Sequence, residues 1–152
     1  MSKNKIVKTN ALRILDFNKI SYEVRTYDAP DGFLDGVSVA QQVGMDPSEV
    51  FKTLILQGSS KEYYVCVIPV ENELNLKKAA KHFGEKKLDM IPARDITPVT
   101  GYIKGGCSPI GMKKLFKTAV DLQADKLELI TVSAGKVGLQ VTLPAFALIN
   151  IA

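Results

Sequence analysis

A lysine inside an apolar run and a loop crowded with glycine carry the most usable chemistry in this chain. The run is Val50-Phe51-Lys52-Thr53-Leu54-Ile55-Leu56. Side chains alternate along a strand, so Val50, Lys52, Leu54 and Leu56 share one face. A lysine on such a face either packs its stem and sends its ammonium to water, or faces a cavity, where it needs an anion or acceptor to stay charged. Spacing alone leaves both readings open. The loop is Thr100-Gly101-Tyr102-Ile103-Lys104-Gly105-Gly106-Cys107-Ser108-Pro109-Ile110-Gly111, with four glycines, a proline and a serine in one stretch. Glycine lacks the Cβ that keeps a ligand off the backbone, and successive free N–H groups form a nest for an anion or a carbonyl oxygen. The plainer alternative is a loop that only turns a corner.

Other reactive groups are scarce. Cys66 and Cys107 lie far apart, neither in a CxxC nor beside a histidine, and His82 is the only histidine. A structural zinc site takes about four ligands, so no metal site is expected. A Ser-His-Asp triad would have to use His82, which sits in a lysine-rich helix and reads as solvated or capping. Cys107, between Gly106 and Ser108, reads either as a nucleophile in an N–H-rich loop or as a small apolar filler.

The elements that must hold these residues follow from periodicity and turn chemistry. Residues 9–18 read as a helix, with Leu12, Ile14, Leu15 and Phe17 on its apolar face and Thr9 or Asn10 as its cap. A strand is expected over 20–27, ending in the turn Asp28-Ala29-Pro30-Asp31-Gly32, and a short helix over 38–43 closed by Gly44. Asp46-Pro47-Ser48-Glu49 is a helix-start signal that yields only a turn before the strand 50–57. Strand 63–70 follows a hairpin loop. A basic helix spans 75–83, then come a short strand at 87–90 and a short helix at 92–99. Strands over 118–123, 127–132 and 139–143 precede a last helix over 145–151. This order argues for one α/β (α+β) domain over residues 1–152 with a mixed, curved sheet.

The 152 residues include 46% apolar and 24% charged side chains, the balance of an ordinary globular protein. No apolar run approaches a membrane span, and the polar start Met1-Ser2-Lys3-Asn4-Lys5 shows no signal peptide, so the expected compartment is the cytoplasm. The net charge is +4, with lysines clustered at Lys77, Lys78, Lys81, Lys86 and Lys87 and at Lys113, Lys114 and Lys117. Such clusters suit an RNA partner; they equally describe solvated helix faces.

The TGYxxGGxSPxG wording of the loop, followed by Lys113-Lys114, closely resembles the YbaK/EbsC family of bacterial aminoacyl-tRNA deacylases, related to the editing domain of prolyl-tRNA synthetase. Val50-Phe51-Lys52-Thr53-Leu54 resembles the family's strand with its key lysine, and Val132-Ser133-Ala134-Gly135-Lys136-Val137-Gly138-Leu139 its VSxGKxGL turn. The three motifs stand in the family's order and span most of the chain. The resemblance implies a strongly bent, barrel-like sheet flanked by helices, no cofactor, and an aminoacyl-tRNA substrate held by its 3'-CCA end. It implies that Lys52 binds the terminal adenosine phosphate or ribose region. It further implies that the Gly105 and Gly106 N–H groups face the ester carbonyl and that Ser108 anchors the loop or the amino acid. Thr53 and Gly101, inside the matched motifs, are carried over as substrate-binding, as is Ser133. Tyr27 and Phe33 match pocket aromatics, with core plugs as the alternative. Gln140 stands where the cysteine-specific branch has an acid; it hydrogen-bonds an amino group or ribose more weakly than a carboxylate does. The family's tolerance of aliphatics at Cys107 favours the filler reading.

The function these features imply is trans-editing of mischarged tRNA, above all Cys-tRNA(Pro), with prolyl-tRNA synthetase as a partner. In the cysteine-specific branch the substrate's own thiol attacks the ester; relatives that remove alanine use water. A catalytically silent aminoacyl-tRNA or nucleotide-binding module is the alternative. A hydrolase of a small ester unrelated to tRNA is a third reading, separable by the salt dependence of substrate binding.

Overall fold

The computed structural model describes residues 8–29 and 34–152. Phe33 lies outside the described residues. Thr9 caps the first helix, α1 (Asn10–Phe17), by accepting the Leu12 N–H, and α1 buries Ala11, Leu12 and Leu15. Strand β1 (Glu23–Thr26) follows, then α2 (Gly36–Gln42), capped by the Asp35 carboxylate on the Ser38 N–H. Strands β2 (Phe51–Gly58) and β3 (Tyr63–Pro69) form an antiparallel hairpin that opposes Lys52 to Ile68 and Leu54 to Cys66. Asn75 caps α3 (Leu76–Phe83), and Gly84 closes it. β4 (Leu88–Met90) pairs with the far end of β2. A 3-10 turn then leads into α4 (Ile96–Thr100) and the glycine-rich loop. β5 (Lys117–Val120) runs parallel to β3. β6 (Leu129–Lys136) and β7 (Leu139–Pro144) form a second hairpin, and α5 (Ala145–Ile151) ends the fold.

The strands make two sheets, β4-β2-β3-β5 and β1-β7-β6, not the single barrel-like sheet expected. A barrel needs a continuous ladder around its circumference. Here Val50, just ahead of β2, makes one parallel bridge to Thr131 of β6, beside a bond from the Thr131 N–H to the Glu49 carbonyl at 3.0 Å. Beyond it the edge of β2 is taken by β4, and β6 shifts register between Ser133 and Lys136. The two sheets part, and the space between them becomes the candidate site. The mixed α+β character stands, with one parallel strand pair among antiparallel ones.

Two local expectations also change. The strand placed over 118–123 stops at Val120, because the Asp121 carboxylate accepts the Gln123 N–H and starts a 3-10 turn over Leu122–Lys126. The VSxGK segment is not itself a turn; it is the end of β6, bulged near Gly135.

The main core joins α1, α5, one face of the β6–β7 hairpin and the inner face of β2 and β3, through Leu12, Ile55, Val67, Val132, Val141 and Leu148. A second cluster under α3 buries Leu56, Tyr64, Cys66 and Leu88. Each fully buried aliphatic contributes roughly 1.5–3 kcal/mol, so these clusters hold the two sheets as rigid walls.

Candidate functional site

A cleft of about 400 Å³ opens where the sheets part, within the range of about 300–1,000 Å³ usual for small-ligand pockets. From β2 it takes Lys52 and Thr53; from the second hairpin, Ser133 and Gln140; from the end of β1, Tyr27. The glycine-rich loop contributes Lys104, Gly105 and Cys107, and the start of α2 contributes Asp35 and Gly36. Leu54, Met90, Ile91 and Ile96 supply apolar wall.

Strand alternation explains why polar groups reach this space. On β7, Leu139, Val141 and Leu143 turn to the core, and Gln140 and Thr142 turn the other way. Arg25, Gln140 and Ser133 are cross-strand neighbours in one row. The Thr131 and Thr142 hydroxyls share a hydrogen bond of 2.7 Å, and Arg25 Nε donates to Thr142 at 3.3 Å. The Thr53 hydroxyl and the Gln140 amide oxygen are buried without a partner among the described residues. Each such orphan costs about 1–3 kcal/mol, which a ligand can return.

Lys52 is half-buried and lines this cleft. No ion pair among the described residues engages it. Among the described residues the cleft lining carries two lysines, Lys52 and Lys104, and one carboxylate, Asp35. That carboxyl is held below its ordinary range by the backbone N–H and hydroxyl of Ser38.

The loop divides into a presented part and a structural part. The Gly106 N–H donates to the Ile103 carbonyl at 2.8 Å, closing a turn over 103–106. Gly105 occupies its third position at φ 87°, the left-handed geometry of a type II turn. Gly105 lines the cleft. Gly106 does not: its N–H is spent on the turn, and a Cβ there would stand 2.6 Å from the Val137 nitrogen. The expectation that both glycines offer N–H groups to a substrate is therefore corrected for Gly106. Gly101 ends α4, its N–H on the Thr97 carbonyl at 2.8 Å, outside the cleft lining. Ser108 is fully buried and accepts the Ile110 N–H at 3.2 Å; it anchors the loop. Tyr102 fixes the same segment by donating to the Ile110 carbonyl at 2.6 Å. Burial pushes its phenol up to about 12.

Cys107 borders the cleft and packs against the core. Burial pushes its thiol up to about 11, against an opposing hydrogen bond with Thr100. It is a thiol, not a thiolate, at neutral pH, which fits the filler reading. Ser133 accepts the Gly135 N–H at 3.1 Å, and the Tyr27 N–H donates to the Gly138 carbonyl at 3.0 Å. His82 is exposed on α3, with its ring edge against Phe83. Among the described residues no group of His, Cys, Asp and Glu gathers to hold a metal, and no helix is long and apolar enough to cross a membrane.

Lys104 and Asp35 are cleft residues that sequence reasoning passed over. Lys104 was visible as a cation inside the glycine-rich loop. The Asp35–Ser38 spacing was legible as a helix cap, but nothing local tells a cap beside a pocket from any other cap.

A model of the aminoacyl-tRNA editing domain family matches residues 35–151. The chain is 42% identical over 144 residues to an Enterococcus faecalis protein named "Putative Cys-tRNA(Pro)/Cys-tRNA(Cys) deacylase EbsC", covering 95% of this chain and 88% of that one. It superposes with a TM-score of 0.84 on "hypothetical protein APE2540", at 19% identity over 95% of this chain and 94% of that one. It also superposes with a TM-score of 0.79 on "a putative trans-editing enzyme for prolyl tRNA synthetase", at 19% identity over 96% and 93%. The last two likenesses are of fold.

Proposed function

Because the chain belongs to the aminoacyl-tRNA editing domain family, we propose that its cleft hydrolyses the ester of mischarged aminoacyl-tRNA, with Cys-tRNA(Pro) as the principal substrate. One observation carries this reading: Lys52, an ammonium without an ion-pair partner among the described residues, borders the same cleft as the turn at Gly105 and the polar atoms of Thr53 and Gln140 that the described residues leave unbonded.

The ester between an amino acid and the terminal ribose is already activated. Its hydrolysis needs positioning, and stabilisation of the carbonyl oxygen as it becomes anionic. Lys52 holds the terminal phosphate or ribose region of the 3'-CCA end. Gly105 lets the backbone approach the carbonyl without a Cβ in the way. A nucleophile adds to the carbonyl carbon, the bond to the ribose oxygen breaks, and that oxygen leaves with a proton as the tRNA hydroxyl. Cys107 is protonated and His82 lies outside the cleft lining, which supports the route that the family resemblance implies, in which the nucleophile is water or the thiol of the substrate's own cysteine. The thiol route releases a thiolactone in place of free cysteine.

A small pocket separates amino acids at about 1–3 kcal/mol per methylene, so cysteine and alanine are poorly resolved by size. Specificity for the tRNA body comes from prolyl-tRNA synthetase in a transient complex, and the chain works in trans, in the cytoplasm, as one editing domain. The test is single-turnover deacylation of tRNA(Pro) charged with cysteine, alanine or proline. Cysteine is expected to leave fastest and proline to stay. Binding of all three without release of any amino acid would make this a non-catalytic module.

A further inference from the structure

The outer face of α5 is apolar where a solvated helix would be polar. α5 buries Ala145, Ala147 and Leu148. It turns Phe146 and Ile149 outward at 69% and 42% exposure; three residues apart, they are neighbours on the helix surface. Leu122, on the 3-10 turn after β5, and Leu129, at the start of β6, are 78% and 49% exposed. Single exposed aliphatics are ordinary, but these four are gathered. They border two grooves, of about 180 and 440 Å³, that meet at Asp125 and Ile149. The floor is fixed by backbone bonds: the Ala145 N–H donates to the Glu128 carbonyl at 3.0 Å, and the Leu127 N–H to the Ala124 carbonyl at 3.1 Å. A gathered apolar patch with a polar rim is the usual mark of an interaction surface.

The charge of the rim says what covers it. The grooves take three carboxylates, Asp121, Asp125 and Glu128, and no lysine or arginine; Lys126, on the same turn, stands outside the lining. None of the three is in an ion pair among the described residues, in a chain whose net charge is +4. Such a rim repels the phosphates of RNA and the headgroups of an anionic membrane. A second copy placed by a two-fold axis would set the patch against itself, carboxylates facing carboxylates. We propose that this face docks a separate protein, through a segment of that protein that carries apolar anchors flanked by lysine or arginine. The anchors fill the space beside Leu122, Phe146 and Ile149, and the cations pair with the rim and steer the encounter. None of these residues lines the cleft, so the partner can sit here while the cleft is occupied. The proposal stands apart from the deacylase reading.

The probe is a synthetic peptide of about 18 residues, long enough to hold a helix, with leucines on one face and lysines on the other. Its counterpart carries glutamates in place of the lysines. Each is titrated into the isotope-labelled full chain and followed by amide NMR. The lysine peptide is expected to shift amides of residues 122–129 and 145–151, to bind at least about tenfold more tightly than the glutamate peptide, and to loosen as salt rises. Phe146→Ala and Leu122→Ala, both at exposed positions, should each weaken it at least about fivefold. The double variant Asp125→Lys, Glu128→Lys should bring the two peptides within about twofold of each other; if it fails to fold in a thermal melt, the alanine variants carry the test. No binding of either peptide, equal binding of both by the native chain, shifts confined to the cleft, or affinities unmoved in the folded variants overturns the proposal. Self-association of the chain that Phe146→Ala abolishes would give the face to a second copy and overturn it as well. Cys-tRNA(Pro) left intact by the native chain would remove the deacylase reading and leave each of these outcomes as stated.

Discussion

On β7, Leu139, Val141 and Leu143 face one way and Gln140 and Thr142 the other, yet none of the five is more than 7% exposed. The first face meets α1, α5 and the inner strands in a continuous apolar cluster. The second meets threonines, an arginine and a cleft, and among the described residues it leaves an amide oxygen unbonded. The two faces teach that burial does not separate core from site. Satisfaction does: the core face has nothing to satisfy, and the cleft face is incomplete until a ligand supplies donors and an anion.

Substitution on the core face should disturb stability and leave the chemistry of folded molecules alone. Leu143→Ala is expected to cost about 2–5 kcal/mol, the range for emptying a packed aliphatic site, with an unchanged deacylation rate per folded molecule. Chemical denaturation and single-turnover kinetics on one preparation check both halves. A rate loss beyond that explained by unfolding would blur the distinction between the faces.

The glycine-rich loop offers a smaller contrast. Gly106→Ala forces a Cβ against the Val137 and Lys136 backbone at 2.6–2.8 Å, where no side-chain rotation gives relief, and should cost about 1–3 kcal/mol. It should also slow deacylation by displacing Gly105. A variant as stable and active as the native chain would mean that the loop does not pack on the β6–β7 turn as described.

The smallest effect concerns the two cysteines. Burial raises Cys66 and Cys107 from 9.0 to about 11. Their folded values lie above their unfolded ones, so the stability they contribute is complete below pH 9.0 and is lost as pH climbs towards about 11. Cys107→Ala should flatten that alkaline decline and hold the deacylation rate within about threefold, as a filler rather than a nucleophile predicts. Thermal melts across pH and the rate at neutral pH read the two effects separately.

Much of this was legible in the chain because local signals and tertiary demands agree. Thr9 and Asn75 mark helix starts and Gly84 a helix stop, each by its own hydrogen bonds or backbone freedom. Lys52 stood out because a strand's period put a cation among aliphatics. What failed depended on partners distant in sequence. Nothing near Gly106 announces that the β6–β7 turn lies against it, or that its N–H closes a turn while Gly105 is the glycine on the cleft. Whether strands close into a barrel or split into two sheets is set by how far the chain leading into β2 pairs with β6, and here it does so for one bridge, Val50 to Thr131. Asp121 ended β5 early with a side-chain cap that a run of strand formers conceals.

The contrast between the faces rests finally on Lys52. Single-turnover hydrolysis of Cys-tRNA(Pro) by the native chain and by Lys52→Ala, with melting temperatures taken in parallel, tests it most directly. The account predicts a rate loss of at least about 100-fold, the cost of losing a group that holds the ester in place, with little change in melting temperature. A variant that deacylates within about threefold of the native rate would contradict it.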